Sequence, residues 1–225
     1  MERQSHQTER MFRLTYDFDF SNWKEEIANA ITHGIGLILS IPALIMLVLF
    51  AVDKGSAWHV VSFSIFGASM ILLYLFSTLL HSFKPSKAKN VFAVLDHSAI
   101  YVLIAGTYTP LMLVSVRSAL GWTLFGIVWG LAIVGIIFKC YFVDRFQIVS
   151  TLFYLIMGWL VLAAIKPLYE SLTPAGFDLL LTGGILYSVG AIFYVWKKIP
   201  YNHAIWHLFV LAGSSFMYFC ILFYV

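Results

Sequence analysis

Charge is what this chain has least of. Lys, Arg, Asp and Glu make up 11% of its 225 residues, whereas 61% are hydrophobic. A soluble domain keeps about a quarter of its residues charged, so the polar surface needed to face water is missing and lipid is the main solvent. The net charge of +3 is dispersed, with no basic run, which argues against nucleic acid as a partner. Cysteine is nearly absent. Cys140 and Cys220 fall near opposite ends of their own segments without ligand-like spacing, so two buried, inert thiols and no disulfide are expected. No cleavable signal peptide is expected either: residues 1–26, MERQSHQTERMFRLTYDFDFSNWKEE, lack the short apolar core such a peptide needs. Targeting is left to the first membrane span.

What is present is apolar and segmented. A span needs about 20 mostly apolar residues, and seven stretches qualify: 28–51, 57–81, 91–114, 119–138, 147–165, 177–196 and 203–225. The breaks read DKGS, FKPSKAKN, VRS, KCYFVDR, KPLYESLTP and KKIPYN. Pro42 and Pro110 are tolerated in lipid, where neighbouring helices satisfy freed backbone groups. Asn22 and Glu25 resemble a capping box at the start of a short helix leading into the first span. The expectation is an all-α, seven-helix transmembrane bundle forming one domain over 21–225, preceded by a flexible cytoplasmic tail at 1–20 that is disordered over 1–14.

Lys and Arg set the orientation. Arg3, Arg10, Arg13, Lys24, Lys84, Lys87, Lys89, Lys139, Arg145, Lys197 and Lys198 fall on one side, and Lys54, Arg117 and Lys166 on the other. The N-terminus is therefore expected in the cytoplasm and the C-terminus outside.

The ionisable residues of the spans gather at one depth. His33 lies about five residues into the first span from the cytoplasmic side, and the second ends at His81 with Ser77 one turn deeper on the same face. Asp96 lies about five residues into the third span. The seventh carries His203 at its mouth and His207 a turn deeper, in HAIWH. Histidines at i and i+4 project from one helical face. A carboxylate inside a span costs about 2.5–3.5 kcal/mol on insertion scales, so Asp96 needs a partner or a task. Three imidazoles without thiolate suit zinc, copper, iron or nickel. Three histidines with a vacant fourth position match catalytic zinc, so zinc through His81, His203 and His207 is the first choice. Asp96 then suits the general base, and Ser77 a donor to a developing oxyanion. HAIWH has no Glu after its first His, so it is not the HExxH of soluble metalloproteases.

Three motifs make the chain similar to the progestin and adipoQ receptor superfamily, close to its hemolysin III branch. They are Glu26, Asn29, Thr32 and His33 in EIANAITH; Ser77 and His81 in STLLH, followed by Asp96 in LDHSAIY; and His203 with His207. The resemblance covers residues 20–225. It implies a seven-helix bundle with a cytoplasmic N-terminus, and zinc on His81, His203 and His207 with a water between metal and Asp96. Related receptors and the similar-looking alkaline ceramidases imply hydrolysis of a lipid amide, hence membrane lipids and a ceramide-like substrate as partners. Hemolysin III proteins are also described as bacterial cytolysins or membrane-homeostasis factors. This gives the alternative of a non-enzymatic pore-former or regulator with structural zinc, in the bacterial cell membrane. A metal transporter would need ligands deeper along the spans, and the sequence offers none.

Glu26, Asn29 and His33 share one face of the entering helix. A packing network at the helix start is the expectation, against a polar brace for the metal layer or His33 as an alternative ligand. His97, about 100° around the helix from Asp96, suits a headgroup contact or a supporting role rather than ligation. His6 and His59 are expected in water. AGTYTP at 105–110 suits close helix packing or a kink before Pro110, or a lipid-accessible pocket. Trp23, Trp58, Trp122, Trp196 and Trp206 suit interfacial belts.

Overall fold

The computed structural model describes residues 23–53, 55–143 and 145–225. The expected tail, its disorder, His6 and the Asn22 cap lie outside the described residues. Helix α1 spans Trp23–Asp53, α2 Ala57–Ser82 and α3 Lys87–Pro110, which continues into a π-helical turn at Leu111–Ser115. Helix α4 spans Ala119–Phe142. The fifth span joins α5 (Gln147–Trp159), a 3₁₀ turn (Leu160–Ala164) and α6 (Ile165–Ser171). Helices α7 (Pro174–Val195) and α8 (Asn202–Tyr224) complete seven spans long and apolar enough to cross a membrane.

Local chemistry sets the ends. Ser86, Ser118 and Thr173 cap α3, α4 and α7 by accepting hydrogen bonds from the backbone N–H groups of Lys89, Gly121 and Gly176. Pro174 then occupies the first turn of α7, where a missing N–H costs nothing. Pro110 cannot donate to the ladder. The helix widens after it, and Val116 N donates to Leu111 O five residues back. The helix is continuous up to Pro110 and widens only after it, while close packing and a cavity lined by Thr107 and Tyr108 are both found at AGTYTP. A methyl group on Gly106 would collide with the Ser69 hydroxyl, so α2 and α3 approach closely there.

The third span is the axis of the bundle: 72% of its apolar window is buried, against 50% or less in every other span. Helices α2 and α4 flank it, α1 packs on α2 and α8, and α7 pairs with α8. Phe63, Phe66, Tyr74, Tyr101 and Met112 fill the core.

Several expectations need correction. The fifth span runs past 165 to Ser171, because exposed Lys166 and Glu170, 4.0 Å apart one turn from each other, let the helix leave the hydrocarbon. Cys140 is exposed; only Cys220 is buried, its thiol donating to Gly176 O at 3.3 Å, and both are free thiols. His59 is partly buried, with Nε2 3.2 Å from the Val225 carbonyl oxygen, so it packs against the end of α8 rather than standing in water.

Candidate metal centre

Helix α8 begins at Asn202, whose side-chain amide donates to Phe193 O and Tyr194 O and ties the α7–α8 turn. One turn of α8 then carries His203 and His207 on the same face. The last turn of α2 brings His81 against them, with ring centroids 5.0 Å from His203 and 5.3 Å from His207. One nitrogen of each ring lies within 4.8 Å of the other two. His81, His203 and His207 are thus brought together as the sequence predicts.

The hydrogen bonding of these rings is one-sided. His81 Nδ1 lies 3.4 Å from Glu26 Oε2. His207 Nδ1 lies 3.1 Å from the Thr32 hydroxyl and 3.3 Å from the Asn29 carbonyl oxygen. The Nε2 atoms of His81, His203 and His207 are all buried without a hydrogen-bond partner. Buried polar atoms are normally paired. Three rings that each keep an unpaired buried nitrogen and that offer nitrogens within 4.8 Å of one another fit a divalent metal ion, with Nδ1 of His81 and His207 held by carboxylate, carbonyl and hydroxyl groups.

Asp96 on α3 is buried, beside Ser77 and 3.8 Å from His97 Nδ1. The Ser77 hydroxyl is fully buried and makes no well-aligned hydrogen bond within the protein. His33 stacks on His207 at 3.5 Å between centroids and meets the Tyr74 ring edge-on at 5.2 Å. It does not belong to the converging set, and neither of its ring nitrogens has a hydrogen-bond partner. His97 is turned away, with Nδ1 2.8 Å from Ala93 O and Nε2 3.3 Å from the Tyr194 hydroxyl.

Sequence reasoning ranked one feature wrongly and missed two. Glu26, Asn29 and Thr32 contact the converging histidines directly, which favours the polar brace over the packing network expected at the helix start. Lys89, counted among the aqueous cations, is fully buried with Nζ 2.6 Å from Glu26 Oε2. Trp206, assigned to an interfacial belt, packs within the histidine layer, 5.1 Å from His203 and 5.2 Å from His207. No sequence signal marked the inward turn of Lys89. The HAIWH spacing places Trp206 beside both ligands once α8 is known to face inward.

Two spaces border this layer. An apolar cavity lies among α3, the fifth span, α7 and α8, enclosing about 1340 Å³ of non-protein space with its opening included. Asp96 and His33 line it at one end, and Thr107, Leu111, Leu168 and Phe177 line it farther on. From Asp96 to Leu111 along α3 is about 22 Å at 1.5 Å per residue. Leu162, Ile165 and Leu181 line the cavity and are also exposed on the bundle surface, so it opens sideways between the fifth and sixth spans. Among α1, the end of α2 and the α7–α8 turn, Glu25, Glu26, Asn29, Lys197, His81 and His203 line a polar vestibule. Desolvation at its rim lowers the pKa of the Lys197 ammonium, and nearby Glu25 partly offsets this.

Residues 21–218 match the family profile described as "Haemolysin-III related". The chain belongs to the haemolysin-III-related family. This haemolysin-III-related protein is 65% identical to "Hemolysin-3" of Bacillus cereus over 97% of each chain. It is also 65% identical to "Hemolysin-3 homolog" of Bacillus subtilis (strain 168), over 89% of its own length and 94% of the relative's. The human "Monocyte to macrophage differentiation factor" shares 29% identity over 88% of this chain and 83% of its own. Together with the seven apolar helices, these relatives identify a multi-pass membrane protein of the hemolysin III branch.

Proposed function

We propose that this protein is a zinc-dependent hydrolase of lipid amides in the bacterial cell membrane, with its N-terminus in the cytoplasm and its metal layer near the inner interface. One observation carries the reading. The rings of His81, His203 and His207, each with a buried and unpartnered Nε2, come together in a layer that borders both an apolar cavity, at Asp96 and His33, and a polar vestibule, at His81 and His203. An amphiphile fits that setting, with its acyl chain in the cavity and its polar head toward water.

His81, His203 and His207 would hold the ion, which supplies Lewis acidity to a carbonyl and to water. Glu26, Asn29 and Thr32 keep two of the three rings in register through the Nδ1 side of His81 and His207. Asp96, at the cavity end, takes a proton from the attacking water and returns it to the amine nitrogen as the C–N bond breaks, giving a fatty acid and an amine. Ser77, with a buried hydroxyl that has no well-aligned partner, donates to the oxygen on which negative charge develops.

The test is purified protein in nanodiscs, with zinc counted by elemental analysis and fatty-acid release followed from ceramide-like N-acyl amides. One zinc per chain and release that depends on His203 and His207 are expected. Release no greater than that of a His203→Ala, His207→Ala double variant, from fully loaded protein, would remove the reading. The printed name Hemolysin-3 on the Bacillus relatives favours a second one, a membrane-damaging protein with a structural metal. The nearly all-apolar lining of the cavity weighs against a conducting path. Dye leakage from liposomes that survives the double histidine substitution would favour the second reading.

A further inference from the structure

We infer that Lys89 is a positioning residue of the metal centre, acting through Glu26 on His81; this rests on the reading that the centre takes a metal ion. Lys89 sits in the first turn of α3, at the bundle end where a lysine can readily extend its ammonium into water. It turns inward instead, and its side chain is 0% exposed. Its Nζ lies 2.6 Å from Glu26 Oε2, and the same oxygen lies 3.4 Å from His81 Nδ1. One carboxylate oxygen on α1 is therefore shared by a cation from α3 and an imidazole from α2.

That sharing has a direct consequence for the centre. A histidine that donates from Nδ1 to a carboxylate presents Nε2 as a bare acceptor, the form a metal needs. His81 Nε2 is buried and unpaired, and the His81 ring offers a nitrogen within 4.8 Å of nitrogens of His203 and His207. The orienting carboxylate has an alternative, because Glu26 also lines the polar vestibule and keeps 17% of its side chain exposed. A Glu side chain turned toward that space would leave His81 without its acceptor. The Lys89 ammonium, at short charge-assisted distance, holds the oxygen on the His81 side. Electrostatics alone predicts the reverse: a fixed cation near the centre repels a metal ion, so its removal would tighten binding. The two accounts differ in sign.

The experiment compares zinc affinity of the full-length protein in nanodiscs, by competition with a chromophoric chelator, and the visible spectrum of the cobalt-substituted form. Lys89→Met is expected to weaken zinc binding about tenfold, the lower end of what loss of an orienting partner does, and to change the cobalt band. Lys89→Arg is expected to bind within about threefold of wild type, since a cation on Glu26 is kept. In a Glu26→Gln background, Lys89→Met is expected to cost less than about threefold more, because its effect runs through that carboxylate. Equal or tighter binding by Lys89→Met, an unchanged cobalt band, a tenfold loss with Lys89→Arg, or an undiminished loss in the Glu26→Gln background would each overturn the inference. If Lys89→Met does not fold, Lys89→Gln is read by the same criteria, and Lys89→Arg still decides on its own. A wild-type protein that binds no zinc would instead remove the metal reading itself.

Discussion

The cavity sets a length, and blocking it at a known depth tests whether an acyl chain lies there. Tyr194 stands level with the histidine layer, beside His97 and His203. Gly184, ten residues earlier on α7, lines the cavity about 15 Å from that layer. A side chain there has room at its root: a Cβ on Gly184 would meet only Trp159, at 3.6 Å, an ordinary contact. Gly184→Phe therefore places a ring across the cavity without a backbone collision. About 7 Å of the 22 Å path lies beyond it. A staggered chain of 1.5 Å carbon–carbon bonds advances about 1.25 Å per methylene, so the plug removes room for about five or six carbons and leaves about twelve. Each methylene that loses its place forfeits up to about 0.8 kcal/mol, so two are enough for a tenfold effect. The assay is the ratio of dissociation constants, variant over wild type, for N-acyl amides of rising chain length; the reference phase cancels in that ratio. It is expected to stay within about twofold up to about twelve carbons and to exceed tenfold by about sixteen. A ratio flat across all lengths would refute the placement of the chain in this cavity.

Two further outcomes follow from the packing. Gly135→Ala would drive a methyl group into the ring of buried Tyr101, which packs on Tyr154 at 4.5 Å; a loss of about 1–3 kcal/mol is expected, measured by reversible unfolding in mixed micelles. If the centre holds zinc as proposed, its removal with a chelator should speed amide exchange in the first turns of α1 more than in α3, because α1 meets the centre through Asn29, Thr32 and His33, whereas α3 belongs to the most buried span; equal protection in both helices would contradict that.

The spans were legible because unbroken apolar runs of sufficient length have few alternative fates. The histidines and Asp96 were legible because ionisable groups within such runs are costly and therefore informative. Hydropathy fixes depth but not rotation about the helix axis. That is why Lys89 read as a cytoplasmic cation, Cys140 as a buried thiol and Trp206 as a belt residue, when the structure turns the first inward, the second outward and the third into the histidine layer. Lys139 was misread for the same reason. It is buried, with Nζ 3.3 Å from Val143 O. The fifth span was cut short because KPLYE, with a Lys, a Pro and a Glu within five residues, resembles a loop, whereas the backbone stays helical over Ile165–Ser171.

Helix α1 contributes none of the three converging nitrogens, yet the centre depends on it. Its buried positions are Asn29, His33, Gly36, Ser40, Leu47 and Ala51, a narrow stripe that is small or polar for most of its length. Its other faces carry exposed isoleucines at 27, 31, 35, 38, 41 and 45. Lipid tails are as apolar as those isoleucines, so no hydrophobic force drives α1 onto its neighbours. What holds it is close approach, with Gly36 against the Tyr74 ring, together with the polar contacts of Glu26, Asn29, Thr32 and His33 in the histidine layer. The same contacts hold the Nδ1 atoms of His81 and His207. Docking of the first helix and presentation of two unpaired Nε2 atoms are therefore one structural event, which accounts for a helix that adds no histidine to the converging set yet carries a four-residue polar motif at their depth.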